Sequence, residues 1–355
     1  MQLFTKLLSS INHPIRRCVL AVASAVLLVS CGGGGTPTYT VGGTVSGLTS
    51  GTLVLKNNAG DDLTISANST SFTFTTAQAS GAAYSVTAGT QPSGLTCSVS
   101  SGSGTISSSN VTTVVVACVP PWIGTKQLGV AGQSTGGNSV ATDANGNVYV
   151  AGYTYGGLDG NTMTGITDFF VTKYNSSGVK QFTRQLGVAG QATEGYSVAT
   201  DASGNVYVAG STSGGLDGNT LTGTTDFFVT KYNSSGVKQF TRQLGVAGED
   251  TYGLSVATDA SGNVYVAGYT KGGLDGNTLT GTTDFFVTKY DSSGVKQYTR
   301  QLGVAGQSTG GNSVATDASG NVYVAGYTRG GLDGNTLTGT TDFFVTKYDS
   351  SGVKQ

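Results

Sequence analysis

The residues of this chain able to do chemistry are mostly aspartates, and they recur in register. Asp143, Asp201, Asp259 and Asp317 each open a run such as Asp143-Ala-Asn-Gly-Asn147. Asp159, Asp217, Asp275 and Asp333 each stand in Leu-Asp-Gly-Asn, and Asp168, Asp226, Asp284 and Asp342 each precede Phe-Phe-Val. Carboxylates interleaved with amides and glycines suit Ca²⁺, a hard cation held by oxygen ligands. The first set opens glycine-containing turns, where an Asp ordinarily caps its own backbone. No distal Glu follows to complete a calcium loop. The Leu-Asp-Gly-Asn set is therefore the metal candidate, with Asp159, Asp217, Asp275 and Asp333 as Ca²⁺ ligands between repeats. The third set has the symmetry to ring a channel with carboxylates, although hydrogen bonding to the chain is the simpler role. No other cofactor is indicated.

Other chemistries are poorly served. The single histidine, His13, lies in the first 30 residues. There Lys6, Arg16 and Arg17 precede an apolar run from Cys18 to Val29, too short to span a bilayer. That is the pattern of a secretory signal peptide over residues 1–30. Its removal takes three cations and no acid, so a net charge of −1 becomes −4. It also leaves no histidine, which excludes Ser-His-Asp and Cys-His catalysis and histidine metal sites. No basic block occurs, so nucleic acid is excluded as a partner. No residue is assigned a catalytic role. Cys97 and Cys118 form an even pair in an exported chain and are expected to make a disulfide.

These residues are positioned by strands. Gln127–Arg184 returns almost unchanged from Gln185, Gln243 and Gln301, a period of 58 residues. A fixed period of this size signals a repeat architecture. Each repeat holds four strand candidates: in the first, 139–143, 147–154, 168–174 and 179–187. Short turns with glycine join the first two and the last two. Four antiparallel strands per repeat make a propeller blade. Upstream, residues 38–119 carry about seven short alternating segments, as an immunoglobulin-like β-sandwich does. Cys97 and Cys118 fall on its last two strands. Pro120-Pro121 separates this spacer from the propeller at 122–355. The fold class is thus all-β, a small sandwich followed by four four-stranded blades. The last repeat ends within its fourth strand, and Trp122–Gly129 is a fourth strand without the other three. The N-terminal strand is therefore expected to close the last blade, giving a monomeric ring. An open arc, a two-chain, eight-bladed ring and a shortened chain are the alternatives.

Two stretches carry resemblances. Leu28-Val-Ser-Cys31 is similar to a bacterial lipobox. That resemblance implies cleavage before Cys31, a thioether-linked diacylglycerol on its sulfur with a third acyl chain (palmitate among the acyl chains), and a Gly-rich tether over 31–37. With Gly after the Cys, it implies anchoring in the outer membrane, facing the periplasm or the cell surface. The runs SVATDASGNVYVAGYT, DFFVTKY and TRQLG resemble the bacterial β-propeller repeat family known as SBBP. The resemblance implies a propeller scaffold in exported proteins and no defined activity.

Near-identical repeats make their differences informative. Differences cluster before the first strand, where Glu194, Tyr196, Glu249, Asp250 and Tyr252 depart from the pattern, and after the second, where Tyr155, Ser213, Lys271 and Arg329 differ. A hairpin brings both places to one end. Tyr155, Glu194, Tyr196, Glu249, Asp250, Tyr252, Lys271 and Arg329 are therefore the expected contacts for a protein or glycan partner on a rigid frame. The leading expectation is a non-enzymatic envelope lipoprotein displaying a propeller. The alternatives are a polysaccharide lyase or hydrolase, against which near-identical blades offer few unequal environments, and a purely structural spacer.

Overall fold

A computed structural model describes residues 36–355, and all of its strands lie there. The expected signal peptide over 1–30 and the expected lipid-bearing Cys31 lie outside the described residues. The N-terminal part contains β1 (Thr38–Tyr39), β2 (Val41–Ser46), β3 (Thr52–Asn57), β4 (Asp61–Ser66), β5 (Ser71–Thr73), β6 (Gln78–Ala79), β7 (Ala83–Thr90), β8 (Thr96–Ser100), β9 (Ser103–Thr105) and β10 (Val111–Val119). One sheet runs β5-β2-β10-β8 and the other β4-β3-β7-β9. Period-two alternation puts Val41, Leu53, Leu55, Phe74, Val114 and Val116 between them, all fully buried. Strand β10 lies parallel to β2 and antiparallel to β8. Cys118 stands opposite Cys97 in that second pairing, and the two form a disulfide.

The first repeat folds as β11 (Thr135–Thr142), β12 (Val148–Thr154), β13 (Asp168–Tyr174) and β14 (Lys180–Leu186). The second is β15 (Thr193–Thr200), β16 (Val206–Thr212), β17 (Asp226–Tyr232) and β18 (Lys238–Leu244). The third is β19 (Thr251–Thr258), β20 (Val264–Thr270), β21 (Asp284–Tyr290) and β22 (Lys296–Leu302), and the fourth is β23 (Thr309–Thr316), β24 (Val322–Thr328) and β25 (Asp342–Tyr348). Each blade is an antiparallel meander in sequence order. The expected strands are present, but the first strand of each blade begins earlier than its apolar pattern. Thr135-Gly-Gly-Asn has little apolar character, and cross-strand bonding to Tyr153 and Thr154 draws it into the sheet.

Blades stack face to face. The trailing face of blade one presents Tyr149, Ala151, Phe169 and Val171, which pack on Val198, Val206, Val208, Leu216 and Phe228 of blade two. Phe169 stacks on Phe228 with centroids 4.8 Å apart, and the pairs Phe227–Phe286 and Phe285–Phe344 repeat the contact. Central strands have side chains on both faces buried, which is why Asp226–Tyr232 is buried throughout. The tight spacing of the first two strands requires glycine at Gly210, where a Cβ would overlap the Glu194 carbonyl.

The arrangement is propeller-like but open, which corrects the expected closure. Residues 122–129 form no strand, and blade four has three strands. At its outer edge only an isolated bridge, Tyr348 to Lys354, forms. Trp122 packs instead on Tyr174 of blade one, at 5.7 Å between rings. The physical reason is the apolar leading face of blade one, Val140, Val148, Val150 and Phe170, which the 122–128 segment partly covers.

Candidate functional site

Each blade's first hairpin is locked at one end by its aspartate. Asp143 Oδ1 accepts from the backbone of Asn145 and Asn147 at 2.9 and 3.0 Å. Its Oδ2 accepts from Asn147 Nδ2 at 2.7 Å and from the Tyr149 hydroxyl at 3.0 Å. The same set recurs at Asp201, Asp259 and Asp317. These carboxylates are turn caps, as their position in the turn implies.

The aspartates expected to bind Ca²⁺ do not converge. Asp159, Asp217, Asp275 and Asp333 each sit alone in a 3-10 turn with left-handed backbone, φ between 54 and 56°. Each carboxylate is paired with a lysine of its own blade: Lys180, Lys238, Lys296 and Lys354 respectively. A single carboxylate beside an ammonium is a poor cation site, and the repeat spacing keeps the four apart. Among the described residues no group of three or more acidic, Cys or His side chains is placed to hold a metal. Asp168, Asp226, Asp284 and Asp342 each accept from two backbone N–H groups of their own blade's loop. Asp168 is fully buried and accepts from Thr164 N and Gly165 N at 2.8 Å and from Gln185 Nε2 at 2.9 Å, latching the long loop to the blade.

At the other end of the hairpin the copies differ, and the sheet register sets the differing residues against each other. Glu194 lies opposite Ser211, and Tyr252 opposite Tyr269. The backbone N–H of Ser213 bonds to Ala192, that of Lys271 to Asp250 and that of Arg329 to Ser308. The differing residues are therefore within paired strands or at their immediate ends. Tyr196 falls where the register slips between Gly195 and Ser197, so a bulge re-aims its side chain.

In blades two and three these residues form one cleft. Glu194, Tyr196, Ser211, Ser213, Thr225 and Tyr252 line it, with a volume of about 170 Å³. The Tyr196 hydroxyl donates to Glu194 Oε2 at 3.1 Å and shares a 3.0 Å hydrogen bond with Ser211 Oγ. Burial and the Glu194 charge push its phenol up to about 12, although the Ser211 bond pulls the other way. Tyr252 stacks on Tyr269 with centroids 5.1 Å apart, and Lys271 bonds Asp250 at 2.7 Å beside them. The cleft offers a carboxylate, hydroxyls and an aromatic face. Ligand pockets run from about 300 Å³ upwards, so this notch suits one projecting group of a larger partner.

Of the expected contacts, Glu194, Tyr196 and Tyr252 meet in the cleft, with Asp250 and Lys271 adjacent. Tyr155 is on blade one, where it packs edge-on against Tyr153 at 5.8 Å. Arg329 is exposed on blade four, and Glu249 is exposed in the turn before β19. Ser211 is an additional member, and Tyr269 stacks on Tyr252 at its edge. Ser211 was visible in the sequence as the copy lacking the tyrosine found at 153, 269 and 327.

Comparison with known proteins agrees with this architecture. Residues 123–159, 181–217, 239–275 and 297–333 match the SBBP beta-propeller repeat. A regulatory protein of Caulobacter vibrioides, FlaEY, is 28% identical over 222 residues, which is 55% of this chain and 23% of that protein. The chain thus spans about a quarter of the length of the curated relative it matches. Among solved structures, an ulvan lyase of polysaccharide lyase family PL25 is 12% identical with a TM-score of 0.34, covering 61% of this chain and 54% of its own. The rhamnogalacturonan lyase YesW is 13% identical with a TM-score of 0.34, covering 87% and 71% respectively. Likenesses this distant imply nothing about chemistry.

Proposed function

Because the four repeats are SBBP beta-propeller repeats, we propose that the chain is a non-catalytic binding scaffold of the bacterial envelope. In this reading Cys31 carries the lipid anchor and holds the protein at the outer membrane. The sandwich is the spacer, and the blades present the Glu194–Tyr196–Tyr252 cleft to a protein or glycan. One observation carries the reading: copies otherwise alike differ mainly at one end of the blade hairpins, and there the differing side chains meet. The elevated phenol of Tyr196 favours binding over base catalysis, since it stays protonated and donates at neutral pH.

The test is a glycan array and envelope-protein binding assay with residues 36–355, run beside a Glu194→Ala, Tyr196→Ala, Tyr252→Ala variant. The variant is expected to lose the ligands that the parent retains, while Arg329→Ala, remote from the cleft, keeps them. Equal binding by parent and triple variant would sink the assignment of the cleft. Acid-stable labelling by palmitate that disappears in Cys31→Ser tests the anchor separately.

A further inference from the structure

One cross-strand pair of the first hairpin differs in every respect in blade two. Gly136, Glu194, Tyr252 and Gly310 are equivalent, and they stand opposite Tyr153, Ser211, Tyr269 and Tyr327. In blades one and four the tyrosine ring lies over the glycine: a Cβ on Gly136 or Gly310 would meet it at 2.9 or 2.7 Å. In blade three the two rings stack. Blade two has a charge at this pair and no ring. Ser211 is too short to cover the place, and the cleft of about 170 Å³ opens there.

The cleft is electrically unbalanced. Glu194 Oε2 accepts from the Tyr196 hydroxyl at 3.1 Å, and Oε1 accepts from no group among the described residues. Lys271, the one cation at the differing positions of blades two and three, is bound to Asp250 at 2.7 Å. Among the described residues no lysine or arginine pairs with Glu194. A half-buried carboxylate without a countercharge attracts a cation more strongly than one in open water, because less solvent screens it. The rings of Tyr196 and Tyr252 line the same cleft, and aromatic faces attract cations as well.

Other occupants are served less well. The hydroxyls of Tyr196 and Ser211 are already bonded to each other at 3.0 Å, and one face of the Tyr252 ring is taken by Tyr269. A neutral sugar would find few free partners. A guanidinium would use both carboxylate oxygens as a fork. With Oε2 engaged, Glu194 offers a point contact, which suits an ammonium. The volume, below that of a ligand pocket, admits one side chain.

We propose that the cleft takes the side chain of a lysine on a partner protein, with its ammonium against Glu194 and its methylene stem along the Tyr196 and Tyr252 rings. This rests on the reading of the cleft as the partner-binding site and names the group that enters it.

The test uses residues 36–355, which hold every strand of the fold, labelled with ¹⁵N. The probes are acetyl-Gly-Lys-Gly-amide, the same peptide with norleucine in place of lysine, and maltotriose as a neutral sugar. The lysine peptide is expected to shift the amides of Ser211, Ser213 and Thr225 saturably at millimolar concentration, and less so as salt is added. Glu194→Gln, which keeps the shape and the acceptor for Tyr196, weakens that binding about tenfold or more. Glu249→Gln, at an exposed position on the same end, changes it by about twofold or less. Norleucine peptide or maltotriose binding as tightly as the lysine peptide overturns the ammonium and leaves the cleft a partner site. Equal losses in Glu194→Gln and Glu249→Gln reduce the effect to general charge and also overturn it. So does a lysine peptide that shifts none of these amides, whereas the partner-site reading itself stands or falls on the triple variant in the binding arrays.

Discussion

The Tyr265 hydroxyl donates to Asp259 Oδ2 at 2.9 Å, tying the third blade's second strand to the turn before it. Burial alone would raise the Asp259 carboxyl. Hydrogen bonds from Asn263, Tyr265 and the backbone of Asn263 and Ser261 outweigh it and hold the group below its ordinary value of 3.8. A depressed carboxylate contributes stability that is present above the unfolded value and is lost as pH falls through the folded one. Thermal unfolding of the blades is therefore expected to be flat from neutral pH down to the ordinary carboxylate range and to drop below it. Asp259→Asn lowers Tm at pH 7 and makes the acid drop shallower. Tyr265→Phe removes one charge-assisted bond, at a cost of roughly 1–2 kcal/mol, measured by denaturant unfolding at pH 7.

The Cys97–Cys118 bridge joins positions 21 residues apart. Chain-entropy estimates for a loop of this size give roughly 3 kcal/mol. Reduction, or replacement of both cysteines by serine, is expected to lower the sandwich's melting transition and leave the blade transition in place. Calorimetry with and without reductant checks this.

Gly245 comes two residues after Gln243, whose amide donates to Asp226, and a Cβ at Gly245 would overlap the Asp226 carboxylate. Gly245→Ala must displace that buried carboxylate from Thr222 N, Gly223 N and Gln243 Nε2. Breaking such a network costs on the order of 3 kcal/mol or more. By contrast Gly248→Ala, with open space around it but φ of +73°, costs about 1–2 kcal/mol from backbone strain alone. Paired urea titrations should reproduce that order.

The lysine-paired aspartates lead to an expectation for calcium. With Asp159, Asp217, Asp275 and Asp333 each tied to a lysine on the surface, millimolar Ca²⁺ or EDTA should leave Tm unchanged. Removing one such exposed pair by Lys238→Ala should cost about 1 kcal/mol or less. A calcium-dependent rise in Tm contradicts the placement of these groups.

Much of the blade was legible because its code is local. The alternation of Val148–Thr154, the run Asp168–Tyr174 and the turns Asn145-Gly146 and Asn175–Gly178 each specify strand or turn within a few residues. The start of β11 was not legible, because Thr135-Gly-Gly-Asn joins the sheet through cross-strand bonds and has no apolar alternation of its own. The cleft was half legible. The differing copies pointed to Glu194, Tyr196 and Tyr252, but only pairing register shows that Ser211 and Tyr269 are their neighbours.

By itself, the sequence determined the 58-residue period, the four strands of a blade and the cysteine pair, since each depends on spacing along one stretch of chain. Tertiary structure alone decided whether the array closes. Closure depends on the rotation accumulated from blade to blade and on which apolar face Trp122 covers. The chain placed Trp122 on Tyr174, 5.7 Å away, because the nearest uncovered apolar surface was on blade one.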